Sequence, residues 1–270
     1  MARGSLVTAR SVGCELRLRV DEPARLAFQV AVASGADATE RLAFRADGHP
    51  IEAAELTDAA GNRLHVVDAP AGSLECSYAA EVPGRAAEAS VDAVDLLTYL
   101  RPSRYAESDR LAATAAAEFA GLDGADWLAA VSSWVGTRLS YVPGSSSPTD
   151  GAVQTLLARQ GVCRDYAHLV VALLRALDVP ARLVAVYAPG LDPMDFHAVA
   201  EAWVDGAWHV VDATTLAPRD TMVRISTGRD AADTAFLSLY GGVVRLDSVE
   251  VTAVAEELPD DDVRRLVRLG

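Results

Sequence analysis

The sequence has few cysteines, no long apolar run and less basic than acidic charge, and each shortage removes a class of function. Cys14, Cys76 and Cys163 are the only three cysteines among 270 residues. They form no CxxC pair and no zinc-type spacing, and an odd number builds no complete disulfide framework, so at least one thiol is expected to be free. Cys14 and Cys76 lie in the alternating segments GCELRLRV and SLECSYAAEV, where cysteine behaves as a small apolar side chain. No apolar stretch approaches the ~20 residues that cross a bilayer, and the opening MARGSLVTARSVGCELRLRV has no apolar leader core. The expectation is a cytoplasmic protein with no membrane partner. With 24 Lys+Arg against 38 Asp+Glu, a net charge of -14 and a pI near 4.7, the chain lacks the footprint of a nucleic-acid binder. No repeat, low-complexity tract or metal-ligand spacing is visible, and no cofactor is expected.

What is present is enough apolar sequence, 51%, for well-buried cores in one large or two ordinary domains. Up to about residue 90, short alternating runs (CELRLRV, ARLAFQVAVA, RLHVVDA) are separated by turn-formers at Gly35, Asp47-Gly48, Gly61-Asn62 and Gly72. This reads as a small antiparallel β sandwich, residues 1–98. Pro102 marks a redirection of the chain. Ser108 is a plausible N-cap for LAATAAAEFAG, and Asp126 opens WLAAVSSWVGTRL, with Trp127, Val131, Trp134 and Val135 on one face. PGSSSPTDG then feeds the short helix AVQTLLARQ, stopped by Gly161, and CRDYAHLVVALLRAL reads as a buried central helix ended by Val179-Pro180. RLVAVYA, HAVAEAWV and AWHVVDAT are strand-like, the last two joined at Asp205-Gly206, a strong hairpin signal. The fold class is α+β, with residues 99–270 as a second domain ending in an acidic surface tail.

Within that frame, Cys163 falls in the arc of Tyr166, Val170, Leu174 and Leu177 and in the first helical turn, where free N–H groups and the positive dipole end favour a thiolate. Position alone does not separate a nucleophile from an inert core thiol. A nucleophile needs a base, and His168, His197 and His209 are available. His168 lies five residues along the same helix and points away from the thiol, toward the surface or a neighbouring layer. For the others, a two-residue loop at Asp205-Gly206 sets Val204 opposite Ala207, Val199 opposite Asp212 and His197 opposite Thr214. His197 and Asp212 become diagonal neighbours on one face, and His209 falls on the other. Glu201 shares the face of His197, one residue pair further off, and is a second choice of acid.

These residues resemble the transglutaminase-like superfamily, in RPSRYAESDRL, LSYVPGSSSPTDGAVQTLLARQGVCRDYAHLVVALLRALDVPARLV, DFHAVAEAWVDGAWHVVDAT and GRDAAD. The resemblance implies a papain-like catalytic domain behind an N-terminal β domain, with Cys163 as nucleophile, His197 as base and then acid, and Asp212 as the orienting group. Two positions differ from many members: alanine rather than tryptophan follows His197, and alanine rather than proline follows Asp212. It further implies a peptide or protein carboxamide substrate and a thioester intermediate. Resolution of the thioester by water gives a hydrolase, and by an amine a transglutaminase. The oxyanion would be met by the Cys163 backbone N–H and a second donor, for which Tyr141 is a candidate alongside its role as a packing aromatic, with Glu201 in the substrate region. Asp192 and Asp195 flank the base strand, and GRDAAD is placed to close over the site. A catalytically silent binding or scaffold protein is the rival reading.

Overall fold

The computed structural model describes residues 9–86 and 91–269; the first eight residues, part of the segment searched above for a leader, lie outside the described residues. The N-terminal region is all strand: β1 (Arg10–Glu22), β2 (Ala24–Phe28), β3 (Thr39–Ala46), β4 (His49–Ile51), β5 (Ala54–Thr57), β6 (Arg63–Ala69) and β7 (Gly72–Val82). Alternation in β1 explains the layer: Cys14, Leu16, Leu18 and Val20 are buried while Glu15, Arg17 and Arg19 face solvent. Helices follow, α1 (Ala93–Thr98), α2 (Ala112–Glu118) and α3 (Gly124–Arg138), then β8 (Ser140–Tyr141), α4 (Ala152–Ala158), β9 (Gln160–Gly161) and α5 (Cys163–Ala176). The chain continues as β10 (Ala181–Tyr187), β11 (Phe196–Val204), β12 (Ala207–Val211), β13 (Val223–Gly228), α6 (Ala231–Thr234), β14 (Leu237–Tyr240) and β15 (Val243–Ala255).

Three larger sheets, beside the two-stranded β8-β9 pair, organise these elements. Two form the sandwich, ordered β15-β1-β7-β3-β4 and β14-β2-β6-β5; the third, β12-β11-β10-β13, carries α5 against it. The single division at residues 98/99 therefore needs correction at its C-terminal side. Residues 237–255 are the outer strands of both sandwich sheets, with Leu16 opposite Val249 and Leu26 opposite Leu239. The sandwich also shares a core with the third sheet through Tyr187, Val223 and Ile225. Polar contacts lock the join: Asn62 Nδ2 donates to the Thr227 carbonyl at 2.7 Å, and the Thr227 N–H donates back to Asn62 Oδ1 at 2.7 Å.

Other local expectations shift. Ser108 is buried in a 3-10 turn, and α2 starts at Ala112 without a side-chain cap. Arg159, in the left-handed region at φ 58, ends α4 in place of Gly161. The acidic tail is not free surface. Arg219, 5% exposed, needs a buried counter-charge and takes Asp261 in a two-pronged pair at 2.8 and 2.9 Å; the Val210 N–H donates to the Val267 carbonyl, docking the tail along β12 with Val267 buried. Among the described residues, no helix is long and apolar enough to cross a membrane.

Candidate active site

Cys163 is the first residue of α5, half-buried. The turn before it is shaped by Asp165, whose carboxylate accepts the Val162 N–H at 2.8 Å and satisfies one orphan donor of the helix start. A Cβ on Gly161 would lie 2.7 Å from that of Asp165, so glycine is what lets the buried carboxylate fold back. Arg164 ties the preceding loop to this turn, donating to the Ser147 carbonyl at 2.8 Å. The pairing of β8 with β9 sets Tyr141 beside Gly161. The Tyr141 hydroxyl thereby comes close enough to the backbone amide and the thiol of Cys163 for both to act on it; burial and then the Cys163 charge push it up to about 12.

The Asp205-Gly206 turn has both residues at positive φ (53 and 76), the geometry that closes a two-residue hairpin. Val204 sits opposite Ala207, and the register runs in step to Ala200 opposite Val211. One strand-end further, His197 Nε2 lies 2.9 Å from Asp212 Oδ2. Both side chains are buried, at 0% and 2% exposure. Burial alone would lower the histidine's pKa, but the Asp212 charge and hydrogen bond, and then the Cys163 thiol, raise it to about 10. Burial likewise works against Asp212, and His197 and Thr214 hold its carboxyl below the usual range. His197 Nδ1 has no hydrogen-bond partner in good geometry, while the thiol of Cys163 is near enough to act on the ring. Such loose nucleophile–base contacts are common before a substrate is bound.

The other candidates separate from this group. His168 is fully buried, stacked on Tyr105, and its Nε2 accepts the Ala231 N–H at 3.1 Å. Burial lowers its pKa to about 3, leaving a neutral ring that anchors α6 on the middle of α5. The GRDAAD segment is held there, through His168 and the Asp230 contact to the Tyr105 N–H. His209 pairs opposite Ala202. Asp195 turns back on the Phe196 N–H at 2.7 Å, and its charge reaches the Tyr141 hydroxyl. Among the described residues, no three His, Cys, Asp or Glu side chains gather as a metal site.

Glu201, the alternative acid and substrate-region candidate, has a different employment. It is 1% exposed and clamped by Arg182 at 2.7 Å and Arg224 at 2.7 Å. Burial would raise its pKa; Arg224 and Arg182 bring it down to about 2. Glu201→Gln is expected to destabilise the fold by about 3–5 kcal/mol by stranding two guanidinium groups, read from urea melts. Alkylation of Cys163 in the folded variant should stay at the parent rate. A collapse in that rate with stability unchanged would restore Glu201 to the reacting group.

A sequence profile of the transglutaminase-like superfamily matches residues 113–213, a span that includes Cys163, His197 and Asp212. A crystal structure from Cytophaga hutchinsonii, described as a "Putative Cysteine Protease", is 30% identical, superposes with a TM-score of 0.86, and the match covers 96% of each chain. The chain belongs to the transglutaminase-like superfamily. Among curated proteins, an uncharacterized protein of Mycobacterium leprae is 30% identical over 138 residues, 47% of this chain and 50% of that one. An uncharacterized protein of Mycobacterium tuberculosis is 35% identical over 112 residues, 36% of each. The matched part is thus half or less of these mycobacterial relatives. The α+β transglutaminase-like fold behind a strand-rich N-terminal region agrees with the expectation from sequence.

Proposed function

We propose that this superfamily member is a cysteine-dependent amide or peptide hydrolase working through Cys163, His197 and Asp212. The observation that carries the reading is the convergence of a helix-start thiol on a buried imidazole whose far nitrogen is already held by a carboxylate at 2.9 Å. The Cys163 sulfur attacks the carboxamide carbon, its proton residing on His197, and the C=O bond opens to an oxyanion facing the Cys163 backbone N–H and the Tyr141 hydroxyl. Collapse expels the amine, which takes the proton from His197 and leaves a thioester. Water, deprotonated by His197, then attacks the thioester; the acid departs and the thiol is restored.

Support for water as the acceptor is the lack of any sequence feature that marks an amine-binding surface. The test is a panel of peptide carboxamides incubated with and without hydroxylamine. None of the 24 basic residues is a lysine, so side-chain self-acylation at lysine does not consume the intermediate. Free acid should dominate, and Cys163→Ala should abolish it. Predominant hydroxamate at low hydroxylamine would mark an acyl transferase. An unreactive Cys163 in a folded chain would leave the silent binding protein as the better account.

A further inference from the structure

The carboxylate that holds the base is itself held, and from one side only. Asp212 Oδ2 faces His197 Nε2, while Oδ1 accepts two hydrogen bonds from a single residue: the Thr214 N–H at 2.9 Å and the Thr214 hydroxyl at 2.7 Å. Two donors on one oxygen fix the carboxylate plane and leave the other oxygen aimed at the ring. The turn that returns Thr214 to Asp212 continues through Thr215 in the left-handed region at φ 53, a conformation β-branched residues rarely take. Helix α3 pins the same backbone from behind: the Ser132 hydroxyl donates to the Asp212 carbonyl at 3.2 Å. Gly136, one turn on, packs so closely that a Cβ there would lie 2.6 Å from the Ala213 carbonyl oxygen. Backbone restraint from α3 and side-chain restraint from Thr214 thus converge on one carboxylate.

We propose that Thr214 is a positioning residue for the Cys163–His197–Asp212 group, its hydroxyl orienting Asp212 and through it the working tautomer and tilt of His197. The proposal rests on the triad reading given above. Thr214 touches no reacting atom, so its effect reaches Cys163 only through Asp212 and His197. The hydroxyl bond to an ionised, buried oxygen is charge-assisted, the strong kind, and the comparable hydrogen bonds that orient metal-ligating histidines and carboxylates are worth about 10–100-fold, the scale taken here for an orienting contact. Because the backbone N–H survives any side-chain change, the expected loss sits at the lower end of that range.

The experiment compares Thr214→Val, which keeps the shape and removes the hydroxyl, with Thr214→Ser, which keeps the hydroxyl. The second-order rate of Cys163 alkylation by iodoacetamide is measured across pH, beside thermal melts and the low-field proton resonance of the His197–Asp212 hydrogen bond. Thr214→Val should alkylate about tenfold more slowly, with its alkaline limb moved to lower pH and the low-field resonance shifted. Thr214→Ser should restore rate, limb and resonance. If Thr214→Val does not fold, Thr214→Ala supplies the hydroxyl-free measurement. Parent-like rates and pH profile in a folded hydroxyl-free variant overturn the assignment, as does a Thr214→Ser variant as slow as Thr214→Val. Failure of the triad reading looks different: His197→Ala would then alkylate as fast as the parent, and both proposals fall together.

Discussion

Iodoacetamide at neutral pH is expected to alkylate Cys163 alone, and Cys163→Ala is expected to leave the native chain unlabelled. The contrast with the other two thiols makes the effect large. Cys14 and Cys76 are 4% and 0% exposed, on the inner face of the sandwich. Burial pushes the Cys14 thiol up to about 12 and that of Cys76 higher still. At pH 7 a thiol at 12 is ionised to a fraction on the order of 10⁻⁵, and access is closed as well. Cys163 is half-buried, at a helix start, beside an imidazole whose charged form Asp212 favours. Removing its sulfur costs little packing, so stability, read from thermal melts, should change by no more than about 0.5 kcal/mol. Mass spectrometry of the labelled, digested protein gives the answer by site. Label on Cys14 or Cys76 at a comparable rate, in a chain that still melts cooperatively, would remove the case for a dedicated nucleophile.

The parts of this group legible in the sequence were those set by local rules. A two-residue turn fixes which residues oppose one another, so Asp205-Gly206 alone decides that Asp212 lies on the face of His197 while His209 does not. Helix periodicity likewise puts Cys163 in a first turn and separates it from His168. What escaped the sequence was set by partners far along the chain. Glu201 sits opposite Arg182 because β10 and β11 pair across a long connection, residues 188–195, whose length dictates no register. Arg224 reaches the same carboxylate from β13, so a residue that looked like a spare acid is a neutralised structural charge. β15 was hidden for a related reason. Much of VVRLDSVEVTAVA is exposed on an edge, with a bulge opposite Arg17 and Leu18, which blurs its alternation, and its partner β1 begins more than two hundred residues earlier. The tail read as solvated because its acids outnumber its bases, yet buried Arg219 supplies the demand for Asp261.

Replacing His197 by alanine is expected to slow alkylation and any turnover by about 10²–10⁴, and to destabilise the fold in a way that pH exposes. A histidine whose folded pKa is raised adds stability that is full below its ordinary value of 6.5 and is lost as pH climbs through about 10. A depressed aspartate adds stability above its ordinary 3.8 and loses it as pH falls further. Together the pair stabilises most between those two ordinary values and fades toward alkaline pH. In His197→Ala that alkaline fade should disappear, because the group that titrates is gone. Asp212 is left as a buried carboxylate supported only by Thr214, a loss of about 3–5 kcal/mol near neutrality that should shrink as acid protonates it. Asp212→Asn separates the two consequences. It keeps a polar neighbour for the ring and buries no lone charge, so it should cost less stability. It also removes the charge that favours the imidazolium and the restraint on its tautomer, for which the corresponding change in a Ser-His-Asp enzyme costs about 10⁴ in rate. Denaturant melts from acid to alkaline pH, paired with alkylation rates for both variants, measure each effect separately. Parent-like rates in either folded variant would mean that the buried ion pair serves the fold alone, and the thiol beside it would need another base.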